Sequence, residues 1–563
     1  MRPIDWLAVT ILLLFAAGLR IIGIGFGQPN PEFFPSYAPY GMVHEHLPLH
    51  PDEFYTVALP FEMALRKRLN PEFFNYPAFL INANLVLYHL TGALAGAQLA
   101  DRDGALLNSY APFSLYVLSR AYSVFGAMLA VSCAYAMARL LSGRFAAICA
   151  GLLVAVSYTL VQHAHYIKPG TLAGGWMMLA AWASLAALLA SPRRSRLRFY
   201  LFACGAAGLA ATTRYNAAAA SLIVLSVGVF LLIRVRSRWM FLQIVAGWLL
   251  IPLVFLLGSP FTLLDFDHFW RDFSYIVGQY VATGADIHSY FLVDPWTGLG
   301  LMLTYVAWFA LGIPAIACAI LGFISTVWKR EAADDRHQGG IRLFVLLIGL
   351  MILIYGLVAL RTVRPGHSDG LLILIIPFVA VLAGIGADGL AKRIRLPSRL
   401  AMPAIALILI IQPLVLSVQV VKMFSQPDTR DVLLAWIHSH IPGGARFFLN
   451  GPYNVPLDNE LYPNFAHNLS YASALPDGSE YDYLIYSDTK AFDVLRSQSI
   501  VGAELAEEER AYLRELDAAF DRVAEIHRPL WTGSEAMMNM APFWHNPTLI
   551  VYCLNRASCE NHR

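Results

Sequence analysis

The chain has 563 residues, of which 58% are hydrophobic and only 14% are charged, with a net charge of +2 at pH 7. A soluble globular domain is roughly a quarter charged, so this composition excludes an ordinary soluble protein. It also excludes a disordered or collagen-like chain. The small net charge gives no basis for nucleic-acid binding, and we predict no nucleic-acid partner.

Apolar runs recur along the chain up to residue 424. A membrane-spanning helix needs about 20 apolar residues, and the sequence contains about eleven runs of suitable length. They lie at residues 4–26, 113–138, 146–161, 171–190, 199–212, 217–233, 239–258, 298–327, 342–360, 371–390 and 400–424. We therefore predict a polytopic α-helical membrane protein whose transmembrane domain covers residues 1–424. Residues 76–99 could form a twelfth span or a helix at the membrane interface.

The loops between these runs predict the orientation, because short cytoplasmic loops carry an excess of Lys and Arg. With the N-terminus inside, the basic clusters near 139–144, 193–198, 234–238, 329–330 and 392–399 all fall on the cytoplasmic side. The same assignment makes residues 27–112 the first external loop. We predict a multi-pass protein of the inner (cytoplasmic) membrane, with its functional site and C-terminal domain facing the periplasm or exterior.

From residue 425 to residue 563, the composition becomes that of a soluble domain. Alternating runs at 481–486 and 548–554 predict strands, and runs near 428–440 and 503–522 predict helices. We predict a small external α/β domain. In that compartment Cys553 and Cys559 could form a disulfide or stay as free thiols. The other cysteines lie in apolar runs, where a thiol acts as a small hydrophobe: Cys133, Cys149, Cys204 and Cys318.

The first external loop carries an adjacent acidic pair, Asp52 and Glu53, at the start of an amphipathic stretch. Acids at this position often cap a helix, because carboxylates favour the positive end of the helix dipole. Near the bilayer surface, a carboxylate can also be partly desolvated and act as a general base. The residues alone leave both interpretations open.

Basic residues gather in the other external loops. Each could anchor a lipid headgroup, but several cations beside one acidic pair can hold a phosphate while the acid activates a hydroxyl. The candidates are His163, His165, Lys168, Arg214, Tyr215, Arg361, Arg364 and, near the end of its span, Arg120. Short Asp-x-Asp and His-x-His matches are weak signals, and no nucleotide-binding loop is present, so we predict no metal and no other cofactor.

Several groups of residues, in order along residues 1–390, resemble motifs of a known family. They are His50-Pro51-Asp52-Glu53, the run from Asn70 to Pro77 that includes Tyr76, Ser119-Arg120, residues 163–168, Arg214-Tyr215-Asn216 and Ser259-Pro260-Phe261. Together they resemble the C-type-fold membrane glycosyltransferases that use polyprenyl-phosphate sugars. That superfamily includes the protein O-mannosyltransferases and the bacterial transferases that add aminoarabinose to lipid A.

The resemblance implies roles for these residues. Asp52 would deprotonate the acceptor with Glu53 beside it, Tyr76 would belong to the substrate site, and cations would hold the departing lipid phosphate while the sugar inverts. Two positions depart from the family pattern. Gly170 stands where members often carry an acid, and the Arg364 segment lacks an Arg-Tyr pair.

We therefore predict a glycosyltransferase that moves a hexosyl or pentosyl group from a polyprenyl-phosphate carrier to a lipid, glycan or protein acceptor. The main alternative is a polytopic transporter or lipid flippase, which would show charged or broken helices at mid-membrane depth, often in two related halves. A third possibility is a non-catalytic membrane scaffold whose external domain binds a partner.

Overall fold

A computed structural model describes residues 3–27, 51–91, 113–191, 193–235, 237–281, 295–328, 336–362, 369–394, 397–450, 461–468, 475–487, 502–527 and 548–556, with Val455, Leu457 and Cys559. Up to Phe424 these residues are almost entirely helical, and a small mixed sheet follows. The architecture agrees with the predicted polytopic helical protein that carries a C-terminal α/β region.

The helices that form the apolar bundle follow one another in chain order, with long connections after α1 and after α10. They are α1 (Pro3–Ile21), α4 (Phe113–Leu141), α5 (Arg144–Val156), α6 (Tyr158–Ala164), α7 (Pro169–Leu189), α8 (Arg193–Thr213), α9 (Ala220–Val235), α10 (Arg238–Gly258), α13 (Pro295–Thr304), α14 (Ile313–Val327), α15 (Arg336–Thr362), α16 (Asp369–Arg393) and α17 (Ser398–Phe424). Between α1 and α4 lie α2 (Pro51–Leu65) and α3 (Phe79–Leu90). After α10 come α11 (Phe261–Leu264) and α12 (Phe266–Val281).

Every predicted span corresponds to a helix or a helix pair. Within the described residues, eight helices are long and apolar enough to cross a membrane, and two more spans are bent pairs. The pair α5–α6 bends by 53°, and the pair that ends with α14 bends by 105°. The remaining predicted span, at residues 199–212, is α8, which begins with the arginine-rich sequence Arg-Arg-Ser-Arg-Leu-Arg. Arg214, just after α8, lies against Gly170 at the start of α7. This contact shows that α8 runs alongside the full length of α7.

The short helix α3 bears on the question of a twelfth span. It has 12 residues, so it is about 18 Å long, well short of a hydrocarbon core of about 30 Å. Asn84 donates from Nδ2 to the carbonyl of Thr56 at 2.7 Å, and the Tyr88 hydroxyl lies 3.4 Å from the carbonyl of Val57. The described part of residues 76–99 is therefore a short helix packed on α2.

Charged side chains mark one end of the bundle. Asp5 at the start of α1 accepts hydrogen bonds from Arg144 at 2.8 Å and from Arg139 at 3.4 Å. Ser142, after α4, donates to Asp388 near the end of α16 at 2.6 Å. The loop between α4 and α5 and the end of α16 therefore lie together, as expected if both face the same side of a membrane.

The opposite end of the bundle, which we call the site end, brings together the loops predicted to be external. It comprises residues 51–78, 163–171, 214–216 and 259–272, whose mutual contacts are described below. The ring of Phe424, the last residue of α17, stacks on the ring of His165 with a centroid distance of 4.3 Å. The chain therefore enters its C-terminal region from the site end.

Close helix packing holds the site end together. A Cβ atom added to Gly175 of α7 would lie 2.5 Å from the carbonyl oxygen of Gly126 in α4. Only glycine allows this approach, which is the close backbone contact that small residues permit between membrane helices. The packing positions the start of α7 beside α4, and both carry predicted site residues.

The C-terminal sheet has the strand order β2-β1-β3-β5-β4. Its strands are β1 (Phe447–Asn450), β2 (Phe465–Asn468), β3 (Tyr483–Ser487), β4 (Asp521–Ile526) and β5 (Leu549–Cys553). β1 is parallel to β2 and β3, whereas β5 is antiparallel to β3 and β4. The helices are α18 (Thr429–His440) and α19 (Gly502–Ala519). The strands predicted at 481–486 and 548–554 and both predicted helices are confirmed.

The cysteines fall into two groups in the structure. Cys553 at the end of β5 is disulfide-bonded to Cys559. The four cysteines in the apolar helices are free and buried: Cys133, Cys149, Cys204 and Cys318. Of the two alternatives open for the C-terminal pair, the structure therefore contains the disulfide.

Candidate active site

The acidic pair lies in the first turn of α2, at the site end. Asp52 is the second residue of that helix, and its side chain lies outside the described part of the chain. Glu53 is wholly buried, and its carboxylate accepts two hydrogen bonds from Arg120, at 2.9 Å from Nε and 3.1 Å from Nη2. Bidentate ion pairs of this kind are short and directional. The Glu53 carboxylate is therefore bound inside the protein by a residue of α4.

Arg120 is as buried as its partner. Its Nη1 donates to the carbonyls of Ile24 at 2.6 Å and Phe26 at 3.0 Å, and its guanidinium lies 3.8 Å from the centre of the Phe26 ring. These contacts hold the end of α1, α4 and the start of α2 together. Arg120 was predicted as a phosphate ligand, but the structure places its guanidinium where it has no exposed surface.

Two residues of α2 hold the backbone of Ile167 from both sides, an arrangement we call the Ile167 clasp. The Glu53 Oε1 atom accepts a hydrogen bond from the Ile167 amide at 3.0 Å, and the Thr56 hydroxyl donates toward the Ile167 carbonyl at 3.0 Å. Asp52 precedes Glu53, and Lys168 follows Ile167. The clasp therefore fixes, side by side, the backbone segments that carry the predicted base and one predicted phosphate ligand.

The start of α7 is a concentrated positive site. Lys168 occupies the N-cap position and is half-buried, and Pro169 is the first residue of the helix. A Cβ atom added to Gly170 would lie 3.0 Å from Nη1 of Arg214, so the guanidinium lies directly against the first turn of α7. A helix N-terminus carries a partial positive charge and free N–H groups. Lys168, Arg214 and the helix end can thus act on one anion.

The two predicted histidine ligands lie in the interior. Both ring nitrogens of His165 face backbone carbonyls, Nδ1 at 2.8 Å from Val161 and Nε2 at 2.9 Å from Ile22. Burial lowers the pKa of His165 to about 4, and the contacts with the two backbone carbonyls act in the opposite direction. His163 is also buried, and its carbonyl accepts a hydrogen bond from Thr171. The structure therefore gives His165 a place between α1 and α6 and not on an open phosphate site.

Tyr215 anchors the first loop. Its hydroxyl donates to the carbonyl of Phe74 at 3.0 Å, and the amide of Phe74 donates to Asp272 at 2.9 Å. The amide of Ala78 donates to the Ser259 hydroxyl at 2.8 Å. Residues 74–78 are therefore hydrogen-bonded to the chain after α8 and to the chain after α10.

The remaining predicted ligands are placed only in part. Tyr76 is half-buried, with its ring 6.1 Å from that of Phe73. Arg361 belongs to α15, but its side chain and the whole of Arg364 lie outside the described residues. The Tyr355 hydroxyl of α15 donates to the carbonyl of Asn216 at 2.7 Å, so this helix does reach the turn that carries Arg214.

The weak metal motifs have other partners in the structure. Asp265 accepts a hydrogen bond from Asn70 at 2.6 Å and lies 2.7 Å from Nδ1 of His268. The Asn70 bond, followed by the His268 contact, holds the pKa of Asp265 below its usual range. Among the described residues, no group of three or more His, Cys, Asp or Glu side chains is placed to bind a metal. Asp101 and Asp103 lie outside those residues.

We expect Asp265→Asn to loosen the first loop. The charged acceptor of the Asn70 bond would be lost, and hydrogen bonds to charged groups contribute about 1.5–3 kcal/mol. Amide hydrogen exchange over residues 66–76 should become faster in detergent-solubilised protein. Asp267→Asn is the matched control, because Asp267 belongs to the same Asp-x-Asp sequence as Asp265 but is exposed. Equal exchange rates in the two variants would contradict the anchoring role.

Comparison with known proteins gives structural similarity only. No protein-family model and no curated protein matches the chain. It is similar to the oligosaccharyltransferase AglB of Archaeoglobus fulgidus in complex with an inhibitory peptide and a dolichol-phosphate (11% identity, 92% of this chain and 72% of that chain covered, TM-score 0.46). It is also similar to ArnT of Cupriavidus metallidurans bound to undecaprenyl phosphate (12% identity, 99% of each chain covered, TM-score 0.45).

A third similar structure is the arabinofuranosyltransferase AftD from Mycobacteria, with 14% identity and a TM-score of 0.39, over 96% of this chain and 41% of that chain. At identities and TM-scores this low, the substrate and the mechanism are inferred from the residues of this chain.

Proposed function

We propose that this protein is a membrane glycosyltransferase that moves a sugar from a polyprenyl-phosphate carrier to an acceptor at the site end. The observation that carries the proposal is the Ile167 clasp, which holds the acidic first turn of α2 beside the cationic start of α7. A transferase needs these two functions close together, one to deprotonate the acceptor and the other to stabilise the leaving phosphate.

The leaving group would bind at the start of α7. As the bond between the sugar and the phosphate breaks, negative charge grows on the phosphate oxygens. Lys168, Arg214 and the free N–H groups of α7 supply charge and hydrogen bonds at that point without moving. Arg361 and Arg364 are further candidates for the same role.

Asp52 would be the base. It would accept the proton of the acceptor hydroxyl as the hydroxyl oxygen attacks the anomeric carbon from the face opposite the phosphate, which inverts that carbon. Glu53 was predicted to orient Asp52 or the sugar, and its buried pairing with Arg120 supports a positioning role. Glu53 and Arg120 would be positioning residues that fix the α2 backbone from which Asp52 extends.

The orientation of the site end is part of the proposal. The basic loops at the opposite end include Arg139, Arg144 and Lys392, and an excess of Lys and Arg is typical of cytoplasmic loops. The site end and the C-terminal domain would then face the exterior of the cytoplasmic membrane, where nucleotide sugars are absent. A lipid-linked donor would bring an activated sugar to that compartment, and the acceptor could be a lipid, a glycan or a protein.

The transporter interpretation predicts broken helices, and two spans are indeed bent. At the break between α5 and α6, backbone carbonyls accept hydrogen bonds from side chains of the protein. Arg20 donates to the carbonyls of Val154 at 3.0 Å and Ala155 at 2.8 Å, and Ser417 donates to that of Val156 at 2.8 Å. The freed carbonyls therefore bind side chains of neighbouring helices and do not line a water-filled path.

The cavity beside this break is too small for a transported molecule. It is lined by Arg20, Thr171 and Pro377, among others, and its volume of about 10 Å³ is comparable to the space for one water molecule. The packed break favours the transferase over the transporter. The scaffold interpretation leaves the buried clasp and the cationic helix end without a role.

The function is tested by incubating the purified protein with a panel of polyprenyl-phosphate sugars and crude membrane acceptors. Mass spectrometry should detect free polyprenyl phosphate when the correct sugar is supplied, and the sugar that reacts identifies the donor. No release from any donor, together with lipid flux in reconstituted vesicles, would overturn the proposal in favour of the transporter.

We expect Arg214→Gln to reduce transfer by removing a positive charge from the phosphate site. The Arg214 guanidinium lies against the first turn of α7, and glutamine lacks its charge. Release of polyprenyl phosphate should fall at least tenfold, about 1.4 kcal/mol in the barrier. Arg214→Lys is the matched control, because lysine keeps the charge. Equal losses in the two variants would show that the shape of the guanidinium, not its charge, matters.

A further inference from the structure

An exposed apolar surface continues past the end of α10. Within α10, only 17% of the most apolar segment is buried in the protein, as expected for a helix that faces lipid. Its exposed Leu257 is followed by Leu263 and Leu264, of which Leu264 is 73% exposed. The apolar surface that must contact lipid tails along α10 therefore extends beyond the span into α11.

The exposed apolar surface continues as a stripe along one side of helix α12. Phe266, Trp270 and Val277 recur at helical spacing and are exposed, and Trp270 is 56% exposed. The opposite side of the helix carries His268 and Arg271, both of which are exposed. A helix with aromatic residues on one side and charges on the other is typical of the membrane interface.

A second side of α12 is attached to the first loop. Phe269 and Phe273 pack on Tyr215 with ring centroid distances of 6.2 Å and 5.2 Å. Asp272 accepts the hydrogen bond from the Phe74 amide, and Asp265, just before α12, accepts the one from Asn70. The same helix thus presents one stripe outward and holds residues 70–74 with another.

We propose that the outward stripe of α12 lies in the lipid interface and sets the depth of the first loop relative to the membrane surface. The occupant of the stripe is phospholipid, because the stripe is continuous with the lipid-facing leucines of α10. This inference rests on the proposed function, since depth matters for a donor whose phosphate lies at the headgroup level. α12 would bring the base and the start of α7 to that level.

The contact is tested by photo-crosslinking in vesicles of phosphatidylethanolamine and phosphatidylglycerol. p-Benzoylphenylalanine replaces Trp270 in one variant and Tyr275 in another. Tyr275 is the matched control, because it is also aromatic and 51% exposed but lies on the polar side of α12. We expect lipid adducts several-fold more abundant from position 270. Equal lipid yields at the two positions, or adducts from position 270 to a second protein chain, would overturn the proposal.

The effect on transfer is tested with two donors that carry the same sugar on a long or on a short, water-soluble prenyl chain. Trp270→Gln should reduce transfer from the long-chain donor several-fold and leave the short-chain donor unaffected, whereas Tyr275→Gln should change neither. Equal losses with both donors would contradict a role in depth. If wild-type protein transfers no sugar at all, the proposed function fails, while the crosslinking result still decides whether α12 contacts lipid.

Discussion

Asp52→Asn is expected to abolish sugar transfer while leaving the protein folded. A general base contributes about 10²- to 10⁴-fold to rate, and asparagine retains the shape of aspartate but cannot accept the proton. Release of polyprenyl phosphate in the presence of acceptor, followed by mass spectrometry, measures the loss. The KM for the donor should change little, because in the proposed mechanism the phosphate binds at the start of α7 and not at Asp52.

Asp267→Asn provides the matched control for this substitution. It makes the same chemical change in an exposed acid at the site end, and we expect full activity. Melting temperatures in detergent should be equal for both variants and the wild type. Full transfer by Asp52→Asn would refute the assignment of the base, whereas a lowered melting temperature would point to a structural role in capping α2.

Breaking the buried pair between Glu53 and Arg120 should have the largest effect on stability. Removing one partner leaves an uncompensated buried charge, which costs about 3–5 kcal/mol. Arg120→Met should therefore melt at a much lower temperature than wild type, and Glu53→Met should do the same and also lose the hydrogen bond to the Ile167 amide. Thermal unfolding in detergent measures both.

The double variant Glu53→Met with Arg120→Met separates stability from positioning. Replacing a buried ion pair by apolar side chains of similar size is often close to neutral, so much of the lost stability should return. Transfer should stay low through kcat, because the Ile167 clasp is still broken. Recovery of both stability and kcat would show that Glu53 has no role in positioning Asp52.

The transmembrane helices were predictable because the bilayer imposes a length and a polarity on every span. The one predicted span that is not apolar enough to be recognised as a membrane-crossing helix is α8, because arginines occupy its first turn. Its passage along α7 follows from the contact between Arg214 and Gly170, which are distant in sequence. Composition identified the helices, and long-range contacts showed which of them run side by side.

The sequence indicates which residues could form a site, but it does not show which of them contact one another. Arg120 and His165 look like phosphate ligands in the sequence, because both are basic and near the ends of spans. Their partners are Glu53 and the carbonyls of Val161 and Ile22, which no local pattern indicates. The contact of Thr56 with Ile167 could not be predicted either, because the sequence shows only that Thr56 follows Glu53 by three residues, on the same side of α2.

The sequence by itself determined that the chain crosses a membrane many times, which loops lie together at one end, and that an acidic pair and several cations share that end. These properties follow from hydrophobic length and charge, which are local. Only the tertiary structure decided which charges neutralise each other. Because α1, α2, α4 and α7 pack together, Glu53 and Arg120 are buried as a pair, whereas Lys168 and Arg214 lie at the start of α7.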